Sequence, residues 1–152
     1  MNNVIIATAG HVDHGKTSLI KSLSNQDTDR LPEEKKRKLT IDLGFAEMKL
    51  GENQIGFIDV PGHQDFIKNM VSGFCAVDLI LMVVSADDGW MPQTEEHLQI
   101  ISYLGVKKGI VVLTKTDLIK ETSLKINSIR KKIDNSVLAN SEIIPFSSKT
   151  GN

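Results

Sequence analysis

The sequence predicts an α/β domain: a six-stranded, mostly parallel sheet with helices on both faces. Two observations carry this. Short runs rich in Val and Ile alternate with segments whose apolar residues recur at helical spacing. One pair of runs is separated only by Gly51-Glu52-Asn53, a hairpin turn that makes one strand antiparallel in the otherwise parallel sheet.

In chain order, strands are expected over 4–9, 43–50, 55–59, 79–85, 109–114 and 143–146. Helices follow four of them. The first opens at Gly15 or Lys16 and ends near Ser24. The second runs from about Gln64 to Gly73. The third has Pro92 in its first turn and Gly105 just past its end, with Leu98, Ile101 and Leu104 or Gly105 on its inner face. The fourth covers about 122–134 with Ile126, Ile129 and Ile133 as its inner stripe. Residues 27–38, with Pro32 and six consecutive charges, are too polar to pack. They read as a solvated loop with one helical turn or, from their position, as a mobile functional loop. Few residues follow the last strand, so no helix covers that sheet edge. The 152 residues are therefore expected to be one domain, the N-terminal piece of a longer protein.

Apolar residues make up 40% of the chain, an ordinary globular share. Lys and Arg number 18 against 19 Asp and Glu, which argues against binding nucleic acid by blanket phosphate neutralisation. Docking on RNA through a few groups stays open. Cys75 is the single cysteine, so an internal disulfide or thiolate metal site is excluded and a reducing compartment is natural. Its small, apolar surroundings predict a buried side chain. The start shows no signal peptide, and the apolar run 79–84 is far too short to span a bilayer, so a cytoplasmic location without membrane partners is expected.

The segment Gly10-His11-Val12-Asp13-His14-Gly15-Lys16-Thr17 fits G-x-x-x-x-G-K-[ST], after a strand and opening a helix. Its glycines let the backbone curl so that successive N–H groups face a β-phosphate, and the helix N-terminus adds partial positive charge. Lys16 supplies a point charge to the β- and γ-phosphates, and the Thr17 hydroxyl is a Mg²⁺ ligand. His11, Val12, Asp13, His14, Gly15 and Ser18 complete the phosphate-binding set. Thr114-Lys115-Thr116-Asp117 ends a buried strand. A carboxylate there accepts both N1–H and N2–H of guanine, donors that adenine lacks in that place, while the Lys115 stem lies over the base. Ser147-Ser148-Lys149 ends the last strand. Its N–H groups address the guanine O6, or it is a simple turn.

Asp59-Val60-Pro61-Gly62-His63 supplies three further candidates. Asp59 holds Mg²⁺ through a water, Gly62 lets its N–H approach a γ-phosphate, and His63 orients the attacking water. His11 and His14 are alternatives to His63, but they sit in a loop where backbone geometry matters more than side-chain chemistry. His97 is expected to be exposed on its helix. Thr40 is either a Mg²⁺ ligand that orders the polar loop when GTP is bound or an ordinary strand-entry threonine.

Together, the loop Gly-His-Val-Asp-His-Gly-Lys-Thr and the run Asp-Val-Pro-Gly-His resemble the translational GTPases over essentially the whole chain. The resemblance implies a three-layer P-loop NTPase of the Ras-like kind that hydrolyses GTP to GDP with Mg²⁺, stimulated by the ribosome. It also implies that Thr40 is the switch I threonine and His63 the catalytic histidine. Val12 and Ile41 would then form an apolar gate that the ribosome opens. A narrower resemblance lies in residues 29–45, with a short acidic–basic run ending in Thr40-Ile41-Asp42-Leu43-Gly44-Phe45, and in the turn Asp87-Asp88-Gly89. These are similar to the selenocysteine-specific elongation factors. That branch implies a monomer that binds selenocysteyl-tRNA and an mRNA hairpin through regions absent from this chain. The alternatives are a general elongation or initiation factor carrying another tRNA, and a GTP-dependent binding module with negligible turnover. Two positions depart from the wider pattern. Lys38 stands where Gly is usual, and Thr114 replaces an Asn whose amide braces the phosphate loop, which predicts lower base affinity and slightly favours the selenocysteine branch.

Overall fold

The computed structural model describes residues 3–37, 39–75 and 77–151; the departure at Lys38 lies outside them. The strands are β1 (Asn3–Ala9), β2 (Gly44–Leu50), β3 (Asn53–Asp59), β4 (Leu79–Ser85), β5 (Gly109–Thr114) and β6 (Ile143–Pro145). The helices are α1 (Lys16–Ser24), α2 (Pro32–Arg37), α3 (Ile67–Phe74), α4 (Pro92–Tyr103) and α5 (Ser123–Ile133). The strands form one sheet in the order β2-β3-β1-β4-β5-β6. Only β2 and β3 pair antiparallel, with Leu50 opposite Asn53 across a turn in which Gly51 takes φ 60°. Every other neighbouring pair is parallel.

The pleat of β4 shows how the sequence builds three layers. Ile80, Met82 and Val84 face one side, where they join Met70 and Phe74 of α3, Leu98 and Ile101 of α4, and Ile129 and Ile133 of α5. Leu81 and Val83 face the other side, against Leu19 and Ile20 of α1. Because β1, β4 and β5 are covered on both faces, they read as continuous apolar runs rather than alternating ones. No helix among the described residues is long and apolar enough to cross a membrane.

Two expectations are corrected here. Cys75 is exposed, not buried. It caps the end of α3, where Phe74 takes the inward position and the next residue turns outward, with Sγ donating to the Val71 carbonyl at 3.3 Å. Of residues 27–38, the described ones, 27–37, do pack. They contain α2, and Thr28 and Glu34 are buried because their polar atoms find partners inside the fold.

Candidate functional site

The loop between β1 and α1 changes hand repeatedly, with Gly10 at φ 131°, Asp13 at φ 60° and Gly15 at φ 89°. Such alternation turns successive N–H groups into one concavity. A Cβ on Gly10 would collide with the Val83 carbonyl, so only glycine fits there. Lys16 is buried and folds back across the loop, its ammonium donating to the Gly10 and His11 carbonyls at 3.1 and 2.8 Å. Burial pushes Lys16 down to about 8, while the carboxylates of Asp59 and Asp13 pull it the other way. Its charge is held in a site that would gain from an anion. Gly62 lies directly on this loop: a Cβ there would sit 2.6 Å from Lys16 Nζ and 2.9 Å from the Val12 nitrogen.

The loop is braced from below by residues that sequence reasoning assigned otherwise or missed. His97, expected on the surface, is buried, and its Nδ1 accepts the Gly10 N–H at 2.9 Å. Gln93, one turn earlier on α4, accepts the Val12 N–H at 3.3 Å. Thr114 donates its hydroxyl to the His14 carbonyl at 2.6 Å. The bracing expected to be lost with the amide is thus supplied by a hydroxyl, which corrects the basis for expecting weaker base binding. His14 is buried completely beneath the loop with its ring 5.0 Å from that of His11.

Burial pushes His97 down to about 3, and burial with His11 and Lys16 nearby pushes His14 down to about 4. Both imidazoles are therefore neutral in the folded protein at pH values where an unfolded chain would take up protons, below about 6.5. Their contribution to stability is full above that value and falls as the pH drops through the folded values. Urea unfolding of the ligand-free protein should lose on the order of a few kcal/mol between pH 7 and pH 4. A His97→Asn variant should be less stable at pH 7 but show a shallower slope. An identical slope would remove His97 from this account.

Above the loop, oxygens converge. Thr17 and Thr28 each donate a hydroxyl to Asp59 Oδ2 at 2.7 Å, and Thr8 donates to Asp59 Oδ1 at 2.9 Å. Thr40 donates to Asp29 Oδ1 at 3.1 Å, and its Oγ1 lies 3.2 Å from that of Thr17. Each hydroxyl has a carboxylate acceptor for its proton, which leaves oxygen lone pairs of both available to a cation. Two adjacent ligands of octahedral Mg²⁺, with bonds of about 2.1 Å, stand about 3 Å apart. The Thr17 and Thr40 pair beside the buried Asp59 therefore fits a small hard cation by donor type and by spacing. Thr17 and Thr40, with Val12, Asp29, Glu34 and Gly62, line a cavity of about 390 Å³.

A second cavity of about 340 Å³ shares Asp13, Gly15 and Ser18 with the first, so the two form one trough over the loop. Its far end is lined by Lys115, Asp117, Leu118, Phe146, Ser148 and Lys149. Ser147 is buried, accepts the N–H groups of Lys149 and Thr150, and donates its hydroxyl to Asp117 Oδ1 at 2.7 Å. That hydrogen bond, aided by Lys149 at 3.5 Å from Oδ2, holds the Asp117 carboxyl below its usual range. Lys115 is steadied by Asp87, 3.5 Å from its ammonium, and Asp87 is itself bonded to Ser85.

His63, the predicted catalytic residue, does not line the trough. Its side chain is 37% exposed, and its Nδ1 accepts the Asp65 N–H at 3.2 Å, capping a short 3-10 turn over Gln64–Phe66. Of the expected gate pair, Val12 lines the first cavity and Ile41 does not. Asp29, Glu34, Thr28 and His97 carry the opposite lesson, for they are site residues that the motifs did not mark.

The whole chain, residues 1–152, matches the family model described as the elongation factor Tu GTP binding domain. It is 52% identical over 151 residues to the selenocysteine-specific elongation factor of Desulfomicrobium baculatum, covering 97% of this chain and 24% of that protein. The crystal structure of the bacterial selenocysteine-specific elongation factor EF-Sec superposes with a TM-score of 0.94 at 46% identity, over 99% of this chain and 26% of the other. Translation elongation factor SelB from Methanococcus maripaludis, in complex with the GTP analogue GppNHp, gives 0.83 at 36% identity, over 99% and 31%. The chain thus spans about a quarter of the length of the relatives it matches first. The match along its full length, with a superposable fold, means that this chain belongs to the elongation factor Tu GTP-binding domain family.

Proposed function

We propose that this chain is the GTP-binding and GTP-hydrolysing domain of a cytoplasmic, monomeric translation factor that delivers selenocysteyl-tRNA to the ribosome. The observation that carries the nucleotide reading is the single trough. Lys16 and Thr17 stand at one end, Asp117 and Lys115 at the other, and the loop lies between them, the layout a guanine nucleotide needs. The loop His11, Val12, Asp13, His14, Gly15, Lys16 and Thr17, with Ser18 and the Lys16 ammonium, holds the phosphates through its free N–H groups. Asp117 takes the guanine edge, with Ser147, Ser148 and Lys149 around it and Thr114 bracing the loop beneath.

Thr17, Thr40 and, through a water, Asp59 would hold Mg²⁺, which when bound neutralises charge on the β- and γ-phosphate oxygens. Hydrolysis joins a water oxygen to the γ-phosphorus, breaks the bond to the bridging oxygen and releases GDP and phosphate. Gly62 brings a backbone N–H to the γ-phosphate, and His63 orients the water once the ribosome has moved it inward past Val12 and Ile41. The selenocysteine assignment is supported by the run from Asp29 to Phe45 and by the names of the relatives. The tRNA and the mRNA hairpin would be held by parts outside this chain.

Fluorescent-nucleotide titration in the presence of Mg²⁺ tests the first half of this. GTP and GDP should bind at least about a hundredfold more tightly than ATP. Equal affinity for ATP would overturn the guanine assignment. For the full-length factor with GTP, protection of selenocysteyl-tRNA but not of seryl-tRNA from deacylation is expected, and equal protection of both would point to a general tRNA carrier.

A further inference from the structure

We infer that Glu34 is a positioning residue for the phosphate end of the site, clasping Leu31 and the stretch from Leu39 to Asp42 so that the Thr40 hydroxyl is held against that of Thr17. This rests on the nucleotide reading above and says which residue makes that end of the site.

A carboxylate as buried as Glu34, at 3% exposure, has to be satisfied by donors. Its two oxygens are used differently. Oε2 accepts the Leu31 N–H at 2.9 Å, just ahead of α2, which is the half of a capping box that any glutamate at the third helical position can make. Capping explains nothing further. Oε1 reaches past the other end of the helix and accepts the N–H groups of Ile41 and Asp42 at 3.0 and 3.2 Å. Burial alone would raise this carboxyl, yet the backbone N–H bonds, Ile41 first, hold it below its usual range.

Thr40 sits inside this clasp. The N–H of Leu39, on one side of it, donates to the Glu34 carbonyl at 3.2 Å, and the N–H of Ile41, on the other, donates to the Glu34 carboxylate. Both peptide neighbours of Thr40 are thus bonded to one residue. From outside, Asn69 on α3 donates its amide to the Ile41 carbonyl at 3.2 Å, so the clasp is also tied to the helix that follows Gly62 and His63. The result is the 3.2 Å approach of the Thr40 and Thr17 oxygens. The Thr40 hydroxyl itself bonds to Asp29, just ahead of Leu31, so the backbone clasp is what fixes the position of residue 40 from both sides.

The test compares wild type, Glu34→Gln, Glu34→Ala and Asn69→Ala by titration with fluorescent GppNHp and fluorescent GDP at several Mg²⁺ concentrations. Thr40 is assigned to the triphosphate state, so Glu34→Ala should weaken GppNHp on the order of tenfold and raise the Mg²⁺ needed for it. GDP should move less than about threefold. Glu34→Gln keeps one carbonyl for Ile41 and Asp42 but turns its amide toward the Leu31 N–H, so it should fall between. Asn69→Ala lies outside the clasp and should shift the GppNHp-to-GDP ratio in the same direction by less, which keeps the test available if Glu34→Ala does not fold. Equal losses for both nucleotides, or a lowered melting temperature with an unchanged ratio, would reduce Glu34 to a helix cap and overturn the inference. Failure of the wild type to bind either nucleotide would instead overturn the guanine reading itself.

Discussion

In the full-length factor, His63→Ala should leave GTP and GDP affinity within about twofold and cut ribosome-stimulated single-turnover hydrolysis by roughly a thousandfold. The first half follows from where the ring is. His63 does not line the phosphate cavity, and its Nδ1 is committed to the Asp65 N–H, so deleting it removes no contact to bound nucleotide. The second half follows from its neighbour. Gly62 is packed onto the phosphate loop, so the backbone that carries His63 starts beside the proposed γ-phosphate position, and the proposed inward move is a rotation of the side chain. The rotation therefore costs one hydrogen bond of a half-exposed group, about 1 kcal/mol. Without ribosomes, wild type and variant should hydrolyse GTP at similar slow rates. Stimulated turnover unchanged in the variant would take the catalytic role from His63.

Much of this molecule could be read from its sequence, and what escaped did so for identifiable reasons. The strands and the phosphate loop are local patterns: apolar runs of the right length, and glycines where a Cβ collides, at Gly10, or where φ is positive, at Gly15. The polar residues under the loop are different. Thr94, His97, Leu98 and Ile101 are all buried on α4 and fall at i, i+3, i+4 and i+7. The helical period placed His97 inside. Its residue type argued for the surface, and the burial is explained only by a Gly10 N–H from far away in the chain. Glu34 is the harder case. Its partners are backbone N–H groups that every residue but proline carries, so nothing in the identity of Ile41 or Asp42 marks them. Thr114 was misjudged by side-chain type, since an amide and a hydroxyl both supply the one donor that the His14 carbonyl needs.

Asp117→Asn should lower GTP affinity by roughly two to three orders of magnitude and make the variant prefer xanthosine triphosphate. The structure fixes which way the new amide would point. Ser147 Oγ accepts the N–H groups of Lys149 and Thr150, so its own proton has to go to residue 117. An asparagine there must turn its carbonyl to Ser147 and its NH₂ toward the base. Guanine presents two donors to that NH₂, N1–H and N2–H, whereas xanthine replaces the second with a carbonyl that accepts. Lys149, attracted to the carboxylate in the wild type, faces an amide donor in the variant and adds to the loss. Ser147→Ala supplies the control. It frees residue 117 to rotate, so Asp117→Asn in that background should discriminate less sharply between the two bases. Titration of all three variants with both triphosphates reads this directly. A GTP-to-XTP affinity ratio unchanged by Asp117→Asn would place the base elsewhere in the trough.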